Sequence, residues 1–305
     1  YECENVPVDL VRRIAERLPV RPGGAALEVA QDRLAEKTRF TALGIETNAF
    51  HAVEDAASLR VAVEQLGLPA VLKTRRLGYD GKGQEVLREG DDPVAAFARL
   101  GSVPCILEAF VPFDREVSLV AVRDQSGVLH SYPLVENDHI EGILVRTEAP
   151  ARGVSDAVRK QAEAAVGALA DDLGYIGTLA VEFFQVGERL LANEMAPRVH
   201  NSGHWSQDGA ETSQFENHVR AVCGLPIGPT GAAHPTVMLN LIGRLGDPER
   251  LAACEGATAH DYGKSERPGR KVGHVNVVGD SAREASERAG RVAETYSGPE
   301  LAPSP

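Results

Sequence analysis

The apolar and polar positions of the chain change period several times, and each change marks an element. Val8 to Leu18 repeats at helical spacing with Pro7 near its first turn, and the stretch Tyr1 to Pro7 reads as the end of a strand. A Pro/Gly-rich connection, Pro19 to Gly24, leads to a second predicted helix from Gln31 to Leu43. Asp55 is placed to cap a third, which runs to Leu66 with Leu59, Val63 and Leu66 on one stripe. Pro69-Ala-Val-Leu-Lys-Thr-Arg-Arg76 reads as a strand and Gln84-Glu-Val-Leu87 as its return. A helix from Asp92 to Leu100 and a strand from Cys105 to Glu108 complete a small α+β unit. Glu116 to Arg123 alternates as a strand, and Gln125-Ser-Gly127 turns into another predicted strand, Val128 to Val135. Ser155 caps a long helix to Leu173, and Thr178–Gln185 and Arg189–Met195 form a hairpin across Val186-Gly-Glu188. A helix over Glu211 to Cys223 and a strand over Thr236 to Ile242 follow. The remainder reads as a separate small unit. It has a helix over Pro248 to Cys254, a strand over Lys271 to Val278, a helix over Ala282 to Tyr296 and a frayed tail, Pro299 to Pro305.

Composition narrows the class without naming a function. The 305 residues are 43% hydrophobic and 25% charged, an ordinary globular balance for two or three small domains sharing a cleft. A net charge of −12 and a pI near 5.3 argue against nucleic acid or an anionic membrane as the main partner. No apolar run is long enough to span a bilayer, and no basic-then-apolar leader is visible, so a cytoplasmic address is expected. Cys3, Cys105, Cys223 and Cys254 are scattered without metal-ligand spacing, which predicts reduced thiols and disfavours zinc. Arginine supplies most of the 32 basic residues; lysine stands only at 37, 73, 82, 160, 264 and 271. A composition that favours Arg leaves Lys where a compact ammonium is needed. Lys160 fits an ordinary helix face; the other lysines fall in motif-like stretches.

Three of those stretches carry chemistry. Gly78, Gly81 and Gly83 make a mobile hairpin whose backbone N–H groups can approach an anion, with Lys73 on the strand leading in and Lys82 at the tip. No GKS or GKT opens a helix here, so it is not a P-loop. Glu182 and Glu194 lie on the two arms of one hairpin, and a pairing in which opposed numbers sum to 376 sets them face to face. Directly opposed like charges destabilise a sheet, and a divalent cation relieves them; hard oxygen donors beside Asn193 point to Mg²⁺ shared with phosphates. The run Ala196-Pro-Arg-Val-His-Asn-Ser-Gly-His204 then crowds Arg198, His200, Asn201 and Ser202 next to that metal, with Arg198 suited to bidentate phosphate or carboxylate contact.

Taken with Gln31-Asp-Arg-Leu-Ala-Glu-Lys37, Lys73 to Gln84, Glu182-Phe-Phe184 and Arg267-Pro-Gly-Arg-Lys-Val-Gly-His274, the run Asn193 to His204 resembles the N5-carboxyaminoimidazole ribonucleotide synthetase family. The resemblance covers Tyr1 to about Val278 in the family's order. It implies an α/β (α+β) fold of the ATP-grasp type with a small C-terminal domain, and an N-terminal Rossmann-like domain of which Tyr1 to Pro7 would be the last strand. The implied units are 1–46 (end of the Rossmann-like domain and linking helices), 47–124 (first lobe with the lid), 125–235 (second lobe) and 236–305 (C-terminal domain). The Gly-rich strand–turn–helix of that first domain does not occur before Tyr1, so an upstream piece is expected to be missing.

By the same resemblance Arg33 and Lys73 contact ATP phosphates, and Gly78, Tyr79, Asp80, Gly81, Lys82, Gly83 and Gln84 close over them. Glu108, Ala109, Phe110 and Val111 supply the adenine linker, Glu116 takes the ribose hydroxyls, and His139 and Asn193 complete the pocket. Glu182 and Glu194 hold Mg²⁺. Tyr79, Asp80 and Lys82 of the lid, with Lys264 and either Arg270 or Lys271, meet the ribonucleotide and its phosphate; Asn201 and Ser202 also face substrate, and Glu4 touches the aminoimidazole. The implied reaction is ATP- and bicarbonate-dependent carboxylation of 5-aminoimidazole ribonucleotide through carboxyphosphate, in purine synthesis. Arg198, His200 and Lys264 would be catalytic, with His200 a candidate to accept the amine proton. A homodimer is implied as well. Competing readings are another ATP-grasp ligase, such as formate-dependent glycinamide ribonucleotide transformylase or biotin carboxylase, and a non-catalytic nucleotide-binding module.

Overall fold

A computed structural model of the protein describes residues 1, 3, 5–78 and 81–296. The chain begins with three helices, α1 (Val8–Ala15), α2 (Gly24–Ala30) and α3 (Arg33–Ala42). Strands β1 (Phe50–Val53), β2 (Ala70–Thr74), β3 (Gln84–Leu87) and β4 (Cys105–Ala109) form a four-stranded antiparallel sheet in the order β1-β4-β2-β3, covered by α4 (Ala56–Leu66) and α5 (Pro93–Arg99). Asp55 caps α4 through a reciprocal bond with Ser58, and Asp92 caps α5 ahead of Pro93. Val53, Leu59, Leu72, Leu87, Phe97 and Leu107 are the buried core of this lobe.

A second, nine-stranded sheet holds the rest. Its members are β5 (Arg115–Arg123), β6 (Leu129–Ser131), β7 (Val135–Ile140), β8 (Ile143–Ala149), β9 (Gly177–Val186), β10 (Arg189–Ala196), β11 (Thr236–Ile242), β12 (Ala257–Asp261) and β13 (Lys271–Val278). They run β10-β9-β5-β7-β8-β11-β13-β12, with β6 on β5. Strand alternation sorts the two faces. Val117, Leu119, Leu179, Val181 and Phe183 pack under α6 (Asp156–Asp172), α2 and α3. Val120, Val122, Ala180, Ala196 and Met238 pack on the other face against Trp205, α7 (Ser206–Gly209) and α8 (Gln214–Cys223). The C-terminal strands carry their own core with α9 (Pro248–Ala252) and α10 (Ala282–Thr295), including Leu239, Val275, Val277, Ala289 and Val292.

Several expected elements stand where the periodicity put them: the bounds of β3, β11 and β13 coincide with those read from the sequence, and Ser155 caps α6. Others need correction. No strand pairing involves the described residues of Tyr1 to Pro7; Asn5 and Val6 turn directly into α1. The helix expected from Gln31 starts at Arg33, because Asp32 takes an extended backbone and caps it there, and α2 before it was not read from the sequence. The expected strand Val128 to Val135 is broken around Pro133, which has no N–H for the ladder. Strand β8 and the turn Glu141–Gly142 were not read from the sequence, nor was β12. The helix expected from Glu211 starts at Gln214, behind the cap Ser213.

The large sheet runs across two of the expected divisions between units. β5 pairs along its whole length with β9, so the large sheet begins at Arg115 and not after residue 124. β11 pairs with both β8 and β13, so the C-terminal unit has its own core but shares its sheet with the preceding lobe.

Candidate active site

A cleft of about 1560 Å³ opens between the two sheets. The phosphate-like end is built first by local capping. Asp32 accepts from the Leu34 and Ala35 N–H groups and holds the Arg75 guanidinium at 3.0 and 2.8 Å, which ties the start of α3 to the exit of β2. Arg33, the first residue of α3, is thereby aimed into the cleft, where its Nη1 meets Glu194 Oε2 at 2.9 Å. Lys73 on β2 is buried and paired with Glu108 Oε2 at 3.0 Å. Lys37 lies 3.6 Å from the same oxygen, and Asn48 donates to it at 3.1 Å. Burial alone would raise the Glu108 carboxyl, but Lys73 and Lys37 hold it down to about 2. Burial also lowers Lys37, to about 8; the Lys73 charge adds to this and the Glu108 carboxylate opposes it.

Glu182 and Glu194 are opposed, as the numbering predicted, but through an irregularity. Arg189 to Ala192 pair with partners whose numbers sum to 375, and the register steps to 376 between Ala192 and Glu194. Asn193 is the extra residue. The bulge puts Asn193 and Glu194 into the same cleft opposite Glu182. The outer edge of β10 is then fixed by α3 and the loop before β1. Glu36 Oε1 accepts from the Met195 N–H at 2.6 Å, and the Ala192 carbonyl accepts from Lys37 Nζ at 3.0 Å and Thr47 Oγ1 at 2.7 Å. Burial and Glu194 push the Glu36 carboxyl up to about 8.

The two opposed carboxylates are driven apart electrostatically. Burial and the Glu194 charge push Glu182 up to about 7; burial also acts on Glu194, but Arg33, Lys73 and His200 outweigh it and hold it down to about 2. Asn193 Oδ1 is buried with no hydrogen-bond partner among the described residues. Two carboxylates and an orphaned amide oxygen suit a hard divalent cation, and the described residues hold no cluster of three or more His, Cys, Asp or Glu that could complete a site. The remaining positions would fall to phosphate or water oxygens.

The neighbouring walls are placed as follows. His139 Nδ1 lies 3.2 Å from Glu116 Oε1; burial would depress the imidazole, but Glu116 and Glu182 raise it above its ordinary range. Phe113 and Phe184 stack at 4.7 Å beside Phe110 on the same cleft. From the four-stranded sheet, Gly81 has φ +72°, and a Cβ there would collide with the Glu141 carbonyl in the β7–β8 turn. Gly83, at φ +73°, packs closely on Thr74.

Beyond β10, the His200–His204 loop is braced by Gln214. Its amide accepts the His200 N–H at 2.9 Å and donates to the His200 carbonyl at 2.7 Å. His200 is lowered to about 3 by burial and by Arg198. At the far end Lys264 Nζ lies 5.1 Å over the Tyr262 ring, and Tyr262 Oη bonds His274 Nδ1 at 2.8 Å. His274 and His260 stack at 4.4 Å, and His260 is held by Asp208 at 2.7 Å.

Most expected residues therefore meet in this cleft: Arg33, Lys73, Gly78, Gly81, Gln84, Phe110, Glu116, His139, Glu182, Asn193, Glu194, Arg198, His200, Asn201, Lys264 and Lys271. Some do not line it. The Glu108 side chain is buried against Lys73, and Ser202 points into the sheet. Arg270 donates to Ser265, whereas Lys271 lines the cleft. Lys82, Gly83, Ala109 and Val111 flank it without lining it. Glu4, Tyr79 and Asp80 lie outside the described residues. Asn48, Glu36, Gln214 and the His260–His274 stack were not assigned from sequence, since their roles rest on contacts between separate elements.

Comparison with known proteins decides the family. Residues 38–215 match the ATP-grasp domain, and residues 236–288 match the phosphoribosylaminoimidazole carboxylase C-terminal domain. The N5-carboxyaminoimidazole ribonucleotide synthase of Pseudomonas aeruginosa is 51% identical over 277 residues, which is 91% of this chain and 76% of that protein. This chain belongs to the N5-carboxyaminoimidazole ribonucleotide synthase family. The synthase of Bacillus subtilis is 43% identical over 91% of this chain and 74% of its own length. The crystal structure of the Thermus thermophilus synthetase superposes with a TM-score of 0.93 at 51% identity, covering 98% of this chain and 82% of that one. A family member from Aspergillus clavatus, in complex with ADP and 5-aminoimidazole ribonucleotide, superposes with a TM-score of 0.88 at 29% identity, covering 97% and 80%.

Proposed function

We propose that the protein carboxylates 5-aminoimidazole ribonucleotide to N5-carboxyaminoimidazole ribonucleotide, using ATP and bicarbonate, in purine synthesis. The observation that carries this reading is one cleft with an oxygen cluster (Glu182, Asn193, Glu194) and two sets of cations. Arg33 and Lys73 line it from α3 and β2, Lys264 and Lys271 from β13 and the loop before it. A nucleoside triphosphate fits the first set and a ribonucleotide monophosphate the second, with Arg198 and His200 between them. The ADP-bound and ribonucleotide-bound relative supports the assignment.

Phosphoryl transfer to bicarbonate needs charge neutralisation and alignment more than covalent help. Lys73 and Arg33 bind and orient the phosphates, and Arg198 steadies the resulting carboxyphosphate. Glu182, Glu194 and Asn193 would hold Mg²⁺, which supplies charge neutralisation for the transferring phosphoryl group. Carboxyphosphate hydrolyses readily, so the lid at Gly78 to Gln84 must exclude water. Phe110, Phe113 and Phe184 offer an apolar seat for the adenine; Glu116 and His139 complete the nucleotide side. Lys271 is the better candidate for the ribonucleotide phosphate than Arg270. We take the lobes to change at residues 113–114. A homodimer and a cytoplasmic address belong to the same reading.

The test is ADP release with aminoimidazole ribonucleotide plus bicarbonate, set against formate plus glycinamide ribonucleotide. Release in the first pair alone is expected. Release in the second pair alone would move the protein to the transformylase reading. ATP binding without release in either would make it a non-catalytic module.

A further inference from the structure

His200 presents its two ring nitrogens to different surroundings. Nε2 faces the cleft, 3.4 Å from Glu182 Oε1. Nδ1 faces inward, where Ser202 contributes both its hydroxyl, at 2.8 Å, and its backbone N–H, which donates at 3.3 Å. A nitrogen that receives an N–H must offer a lone pair. The groups behind Ser202 agree in direction. Thr147 Oγ1 donates to Asn137 Oδ1 at 2.9 Å, and Asn137 Nδ2 donates to Ser118 Oγ at 2.9 Å. Ser118 Oγ, already an acceptor, gives its proton to Ser202 Oγ at 2.7 Å. Ser202 has then only Nδ1 left to donate to.

These links sit on three adjacent strands. Ser118 lies on β5 opposite Glu182, while Asn137 on β7 and Thr147 on β8 face each other. Ser118, Asn137, Thr147 and Ser202 are all buried, at 0, 4, 0 and 0% exposure, which leaves no room for solvent to reverse a link. A buried amide set among hydroxyls costs desolvation that an apolar residue would avoid. Its use here is directional: the Asn137 NH₂ can only give, so every hydroxyl after it points toward the histidine.

We propose that this chain of hydrogen bonds fixes His200 as the Nε2–H tautomer. It then meets the acyl phosphate as a hydrogen-bond donor and is not the base that takes the amine proton. Ser118, Asn137, Thr147 and Ser202 are positioning residues. The identity of the intermediate rests on the proposed carboxylation; the tautomer does not. A donor aimed at a developing oxyanion in a closed site strengthens as charge builds, which is the use of a fixed N–H there.

The experiment is a long-range proton–nitrogen correlation spectrum of the histidine side chains in the full chain at neutral pH, with His200→Asn identifying the signal. The Nε2–H pattern is expected in the unaltered protein, and an Nδ1–H pattern would overturn the proposal. Asn137→Asp is nearly isosteric but accepts on both oxygens, so Thr147 still donates to it while the links from Ser118 onward reverse and favour the proton on Nδ1. With it, kcat should fall roughly 100-fold while KM for ATP stays within about two-fold. A flipped tautomer with unchanged kcat would overturn the catalytic part. If that variant does not fold, Ser118→Ala cuts the chain and should bring a second tautomer into the spectrum; a single unmoved tautomer would overturn the positioning part. Failure of ADP release in the unaltered protein would instead count against carboxylation, because the spectrum is read without turnover.

Discussion

Glu108 shows how one residue can matter to a site it does not line. Its carboxylate is the shared counter-charge of Lys73 and Lys37, held down to about 2 from an ordinary 4.5. A lowered carboxyl contributes stability above its ordinary range and loses it as pH falls toward the lowered value. The protein should therefore lose stability between about pH 4.5 and 2, and Glu108→Gln should flatten that limb. The same variant should cost about 3 kcal/mol or more at neutral pH, because two buried ammonium groups lose their partner. Urea unfolding across a pH series checks both, and parallel slopes in the two proteins would count against the assignment. Glu194→Gln is expected to abolish Mg²⁺-dependent ADP release; turnover at the parental rate would remove the metal assignment. The sequence marked Glu182 and Glu194 because charge in an apolar run is costly unless used, Lys73 because it leads into the Gly-rich hairpin, and Arg198 because it sits in a polar loop beside the opposed glutamates. It could not mark Ser118, Asn137 or Thr147, whose meaning comes only from their contacts across strands.

Secondary structure was legible wherever a local rule acts alone. Asp55, Asp92 and Ser155 cap the helices expected after them, and Gly81 and Gly83 of the Gly-rich stretch take positive φ. The β10 bulge was not legible, since the step in register depends on which backbone groups Glu36, Lys37 and Thr47 capture from outside the strand. For the same reason β12 escaped notice: Ala257 to Asp261 is short and partly exposed, and becomes a strand through its pairing with β13. The lid gives this scale its prediction. Gly81→Ala places a methyl against the Glu141 carbonyl in a backbone conformation L-residues disfavour. Closure should suffer without the core noticing: kcat/KM for ATP is expected to drop roughly 10-fold, with Tm within about 2 °C. Unchanged kinetics would mean that the contact with Glu141 is not part of closure.

At the level of the whole molecule, the C-terminal strands extend the sheet of the preceding lobe, where the sequence had suggested a separate unit. Pairing of β11 with both β8 and β13 means the two cannot open independently without breaking a ladder. Hydrogen exchange under native conditions should find β8, β11 and β13 amides opening with one common free energy, while the four-stranded lobe opens separately. Distinct values for β8 and β11 would argue for two units after all. The shared sheet also works as a ruler. Glu182 on β9 and His274 on β13 stand five strand positions apart. While the ladder holds, neither strand can drift toward the other, so the spacing of Glu182 and His274 along the cleft is set by backbone hydrogen bonds. The four-stranded sheet, with Lys73 and the turn that holds Gly81 and Gly83, lies outside that ladder.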